Sequence, residues 1–161
     1  GEDVYPIDYL NSHVVATADI DRNGWVDFVM HNRGNHMARI WMNGGFDNEN
    51  QSISIALEGT LSNSAAAGSK MALHSNGLVQ ERFIHVGENY LSQESEYELF
   101  GIGTHNVDQV VVHWPSGLVE TFEGEAHNLV AWSQHVLVEG TSACPPSLQS
   151  PAPSQTQRPA K

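Results

Sequence analysis

Punctuation constrains this chain most. Short runs rich in Val, Ile, Phe, Trp and Thr alternate with clusters of Gly, Asn and Ser along most of its length. Helix signals are poor, and the pattern is that of strands and turns. Strands are expected over residues 13–20, 25–32, 38–43, 52–59, 70–75, 78–87, 97–103, 109–115, 118–124 and 128–140. Turn chemistry falls between them, at Gly34-Asn35, Asn43-Gly44-Gly45, Asn76-Gly77 and Pro115-Ser116-Gly117. The run Leu78–Val86 alternates imperfectly, as a half-buried strand does. Ten short strands predict an all-β protein, sandwich or propeller-like. With 40% hydrophobic residues in 161, the chain can fill a packed core.

One loop asks for a cation. Counting from Asp19 as position 1, Asp21 is position 3, Asn23 is 5, Gly24 is 6 and Asp27 is 9. Trp25, at position 7, offers its backbone carbonyl. Alternate residues supply oxygens, and glycine permits the sharp turn that gathers them, the hard-oxygen ligation that Ca²⁺ prefers. Three carboxylates this close repel one another and raise each other's pKa, a conflict that a divalent cation resolves. An EF-hand needs a bidentate Glu at position 12 and a following helix, but position 12 is Met30 in a strand-like run. A dockerin-type helical loop fails for the same reason. The remaining reading is a strand–loop–strand calcium hairpin, with an empty acidic turn as the bland alternative.

The charge balance narrows the partners. Asp and Glu outnumber Lys and Arg by 19 to 7, a formal charge of −12. Nucleic acids and anionic membranes call for a basic face, so neither is expected as a partner. Cys144 is the single cysteine, which removes an internal disulfide framework and any CxxC-based site. No run is long enough to span a bilayer as a helix. The chain starts at Gly1 without a leader, which leaves its address open. The low share of charged residues, 16%, with frequent Asn, Ser and Gly, gives an extracellular or periplasmic expectation.

Two stretches resemble known families. The run Asp19–Met30 with Ala38–Gly45 resembles the FG-GAP/VCBS repeat, the blade motif of integrin-type β-propellers. That resemblance implies Ca²⁺ held by Asp19, Asp21, Asn23, the Trp25 carbonyl and Asp27. With that ligand set nearly filled and no obvious nucleophile or proton carrier beside it in sequence, the expected role is structural rather than catalytic. Residues 52–124 resemble the ASPIC/UnbV domain of cartilage-acidic-protein-like and UnbV-like proteins. The matching pieces are Leu57-Glu58-Gly59, Ser62-Asn63, Gly68, Tyr90-Leu91-Ser92-Gln93, Phe100-Gly101-Ile102-Gly103, Val110–Val112 and Trp114-Pro115-Ser116-Gly117. Where that family often carries a charged pair before Gly68, this chain has Ala65-Ala66-Ala67.

Other chemistry is thinly supported. Nine histidines form neither HExxH nor a Cys/His zinc pattern. Asp108, His113 and a serine make an imaginable triad, but no GxSxG elbow accompanies them. Glu94 and Glu96 look like a solvated strand edge. Phe100-Gly101-Ile102-Gly103 is too short for a phosphate loop, and its glycines read as a bend. Trp114 reads as a core anchor. No catalytic residue is expected.

The expected organisation is a calcium-loop β-meander at 1–50, equivalent to one propeller blade, packed on an antiparallel β-sandwich at 51–141. An extended Pro/Ser-rich tail, 142–161, follows. One blade cannot close a propeller, so either the chain continues a longer protein or its open strands pair with another subunit. The expected function is a non-catalytic, Ca²⁺-stabilised extracellular module for protein interaction or self-assembly. The alternatives are an accessory protein of an enzyme pathway, by analogy with UnbV-type proteins, and an auxiliary peripheral subunit of a membrane-associated complex.

Overall fold

A computed structural model describes residues 12–32, 38–45, 49–87, 89 and 91–143. Ten strands fall where the sequence places them, and no helix occurs among the described residues. Strands β1 (Ser12–Ala18), β2 (Asp27–Asn32) and β3 (Arg39–Trp41) form an antiparallel meander in the order β1-β2-β3. Strands β4 (Gln51–Glu58), β5 (Lys70–Ser75), β6 (Leu78–Phe83), β7 (Glu98–Gly103), β8 (Gln109–His113), β9 (Val119–Glu123) and β10 (Gln134–Val138) build two more sheets. One has the order β10-β4-β7, the other β6-β5-β8-β9.

These two sheets pack face to face around a single apolar core. Ile53, Ile55 and Leu57 alternate inward from β4 toward Met71 and Leu73 of β5, Val110 and Val112 of β8, and Phe122 of β9. Phe100, Trp114 and Leu129 complete the filling, so Trp114 is the core anchor expected of it. Strand β4 is buried on both faces. Its second face, Ser52, Ser54 and Ala56, looks away from this core toward the meander side. Strand β6 is joined to β7 by side chains: Gln80 Nε2 donates to the Gly101 carbonyl at 2.7 Å, and the Arg82 guanidinium lies 4.8 Å from the Phe100 ring.

Three details differ from expectation. Strand β10 runs parallel to β4, so the sandwich is mixed rather than wholly antiparallel. The chain crosses from β9 through the turn at residues 124–133 before pairing, which reverses its direction. That turn occupies the first half of the expected strand at 128–140. Leu129 dives into the core there, and Asn128 and Trp132 adopt positive φ. Strand β6 stops at Phe83 because Ile84 turns inward and exchanges backbone bonds with Gly68 and Ser69. The Gly34-Asn35 turn, Tyr90, Cys144 and the tail from residue 144 lie outside the described residues.

The turns obey their chemistry. Asn76 and Gly77 both take positive φ, 48° and 76°, the two-residue type I′ geometry that suits twisted hairpins. Gly101 and Gly103 of β7 flank a register shift against Gln51 and Ser52, a bulge in place of a sharp bend.

Candidate metal centre

The acidic loop joins β1 to β2, closed at its base by the Ala18–Asp27 pair. Short polar side chains fold it by capturing local amides, as Asx turns do. Asp19 accepts the Asn23 and Gly24 amides at 2.9 and 2.8 Å. Asp21 accepts the Asn23 amide and Asn23 Nδ2, both at 3.1 Å. Asn23 Oδ1 accepts the Trp25 amide at 2.8 Å, while Nδ2 also reaches the Asn43 carbonyl at 2.7 Å. Arg22 and Gly24 supply the left-handed steps, with φ of 60° and 86°.

Asp27 is fully buried. Its two oxygens accept the Ile20 amide at 2.8 Å and the Asn43 amide at 2.6 Å, tying the loop to the segment after β3. Carboxylate oxygens of Asp19, Asp21 and Asp27 lie within 4.8 Å of one another. Burial pushes the Asp19 carboxyl above its ordinary value, against the pull of its two amide bonds, and the charges of Asp21 and Asp27 push the same way.

Of the five residues expected at the site, the fold gathers the three aspartates. Asn23 lies in the same loop, with its side-chain oxygen turned to the Trp25 amide. The Trp25 ring packs over Gly45, where an added Cβ would stand 2.4 Å from the indole nitrogen. Three carboxylates with oxygens within 4.8 Å of one another, on a backbone already turned, could hold a metal ion.

The loop is also fastened to the sandwich. An added Cβ on Gly24 would meet the Trp132 ring at 2.1 Å and Ser52 Oγ at 2.6 Å. Beside the loop, Glu94 Oε2 accepts both the amide and the hydroxyl of Thr17 at 2.6 Å, and Ser92 Oγ donates to the Val15 carbonyl at 2.7 Å. Ser92 and Glu94 thus cap the outer edge of β1. Glu94 is therefore a docking group, not part of a solvated strand edge. Burial opposes its ionisation, but the bonds from Thr17 and Asn89 hold its carboxyl below the ordinary value. Asp108 immediately precedes β8 and His113 ends it, and Asp108 accepts the Asn76 amide at 2.9 Å, so the imagined triad is not assembled.

Sequence reasoning missed the most heavily bonded carboxylate among the described residues. Glu139, just past β10, places Oε2 against the consecutive amides of Thr60, Leu61 and Ser62 at 2.9, 2.8 and 2.7 Å. Its Oε1 accepts the Ser62 hydroxyl at 2.9 Å and the Ser116 hydroxyl at 2.5 Å. Burial disfavours its charge, yet the bonds from Ser116, Ser62 and Thr60 prevail and lower its pKa to about 2. No local signal marks it, because its partners lie 23 to 79 residues away.

Fold and site together define an all-β protein in which an acidic hairpin loop rides on a two-sheet sandwich. The sequence model of the ASPIC and UnbV family matches residues 59–143, more than half of the chain, and the protein belongs to that family. The match begins at Gly59 and runs on past Phe122 to the end of the described residues. The acidic loop precedes it. No curated protein matches the chain.

Proposed function

We propose that this protein is a non-catalytic, Ca²⁺-stabilised interaction module acting outside the cytoplasm, with a loop of the FG-GAP/VCBS type. The observation that carries the proposal is the convergence of Asp19, Asp21 and Asp27 within 4.8 Å on a loop clamped to the sandwich. The ligands would be those three carboxylates with Asn23 and the Trp25 carbonyl. The ion would neutralise their mutual repulsion and stiffen the contact between meander and sandwich, with no part in bond making. Membership in the ASPIC and UnbV family supports a non-catalytic or accessory role. Extracellular Ca²⁺ concentrations suit modest sites of this kind.

Self-assembly has a physical basis in open strand edges. The outer edge of β1 is capped by Ser92 and Glu94, whereas β3, β9 and β10 end their sheets. Such edges invite pairing with a second chain.

The test is calorimetric titration of chelator-treated protein with CaCl₂, repeated on Asp21→Asn, with light scattering at each end point. Asp21 is exposed, so its substitution leaves the buried anchor Asp27 intact. One-site binding lost in the variant, with mass rising on Ca²⁺ addition, supports both halves of the reading. Absence of binding heat and of any thermal shift would reject the metal; an unchanged monomer mass would reject metal-driven assembly.

A second reading, an accessory protein of an enzyme pathway or a peripheral subunit of a larger complex, also draws on the family match. Specific retention of a hydrophobic small molecule, or copurification with membranes, would favour it.

A further inference from the structure

Two concavities lie beside β4. The larger, about 530 Å³, is lined by Ala56 and Val136 and reaches the core residues Leu57 and Ile84. The smaller, about 240 Å³, continues from Ser54 and Gln134 toward Asp19. Both are bounded by Glu94, Ser95, Tyr97 and Glu98, so they are neighbouring hollows that share a wall; the channel is this pair, beside β4 and β10. From Ser54, which lines the smaller hollow, to Glu58, which lines the larger, the strand advances about 13 Å, the length of about four extended residues.

The channel is acidic throughout. Its walls carry Asp19, Glu58, Glu94, Glu96 and Glu98, and no lysine or arginine among the described residues lines it. Glu94 is engaged by Thr17, and Glu98 faces Arg82 at 3.7 Å. Glu58 and Glu96 are exposed, and their carboxylates have no hydrogen bond or ion pair to a described residue. Val136 is 41% exposed on the floor between the walls. Apolar floor with unpaired carboxylates on the rim matches a side chain with a long methylene stem and a cationic head.

We infer that this channel is a docking site for an extended, basic segment of a partner protein, with lysine or arginine heads at Glu58 and Glu96 and their stems on Val136 and Ala56. Two separate carboxylates beside an apolar floor favour a segment bearing two cationic side chains over a single small cation, and the lining carboxylates without lining cations supply the charge complementarity. The inference rests on the interaction-module reading but not on the metal, since β4, β10 and residues 94–98 form most of the channel.

The experiment is fluorescence anisotropy of a labelled, alternating Lys-Ala hexapeptide titrated with the full chain, in Ca²⁺ and in chelator. Glu58→Gln/Glu96→Gln is compared with Glu123→Gln/Glu125→Gln, an equal change of net charge at exposed positions elsewhere. Neutralising the channel pair is expected to weaken binding about tenfold, and the control pair less than about twofold. Equal weakening by the two pairs would reduce the effect to net charge and overturn the site, as would no binding of the wild-type chain. If argininamide binds as tightly as the hexapeptide, the channel takes small cations and the peptide proposal fails. If Arg158→Gln/Lys161→Gln in the full chain raises hexapeptide affinity tenfold or more, the chain's own basic end is the occupant, and the partner is overturned. Failure of the calcium titration alone would leave this result standing.

Discussion

At Glu139, three amides and two hydroxyls converge on one carboxylate, fastening the end of β10 to the turn at 60–62 and the turn at Ser116. Its folded pKa, about 2, lies below the ordinary 4.5, so the charged form is favoured by folding. The stabilisation is fully present above about 4.5 and is lost as pH falls toward 2. Acid denaturation followed by tryptophan fluorescence should show a steep loss of stability across that window. In Glu139→Gln the slope should flatten and the urea midpoint at neutral pH should fall. Gly24 carries a different constraint. With φ at 86° and Trp132 where a Cβ would stand, Gly24→Ala combines strain with a clash. We expect a loss of about 1–3 kcal/mol in urea unfolding, together with a shift of the Trp132 emission as the ring is displaced.

Among the elements, the β5–β6 hairpin and the β8–β9 pair respond differently to substitution. Gly77→Ala asks an L-residue to hold a φ of 76° at the second position of the type I′ turn, at a cost of about 1 kcal/mol. Phe122 of β9 is completely buried against the sandwich core, with the His127 ring edge-on at 5.2 Å. Phe122→Ala should cost about 3–5 kcal/mol and is expected to leave only marginal stability, read as a collapse of the thermal midpoint. The β1–β2 hairpin depends on groups outside itself. Thr17 and Val15 take their edge bonds from Glu94 and Ser92, so the meander borrows its stability from the domain it sits on.

For the whole molecule, the proposed Ca²⁺ would bind the folded loop and not the unfolded chain, so stability becomes linked to the ion. At a free concentration 100 times the dissociation constant, the gain is about 2.7 kcal/mol. Chelation should therefore lower the melting temperature of the wild-type chain, while Asp21→Asn should melt at one temperature with or without Ca²⁺. A calcium-independent wild-type melting temperature would contradict the linkage.

Much of the architecture was written locally. Ten apolar runs and their Gly, Asn and Pro punctuation place ten strands, because strand periodicity and turn conformation are set by neighbours in the chain. Asp19, Asp21 and Asp27 are legible for the same reason: one short loop carries them all, and Gly24 between them turns it. Local pattern fell short wherever distant segments compete. Residues 128–133 have strand-like composition, but Leu129 gains more by burial in the core and Trp132 by covering Gly24. The parallel pairing of β10, the nest around Glu139 and the docking of Glu94 on Thr17 join residues far apart in the chain. Side-chain sequence alone does not encode which amides a remote carboxylate will reach. That is decided only when the sheets close, because an unpaired buried charge or strand edge is costly and each folded segment must satisfy the groups its neighbours leave open.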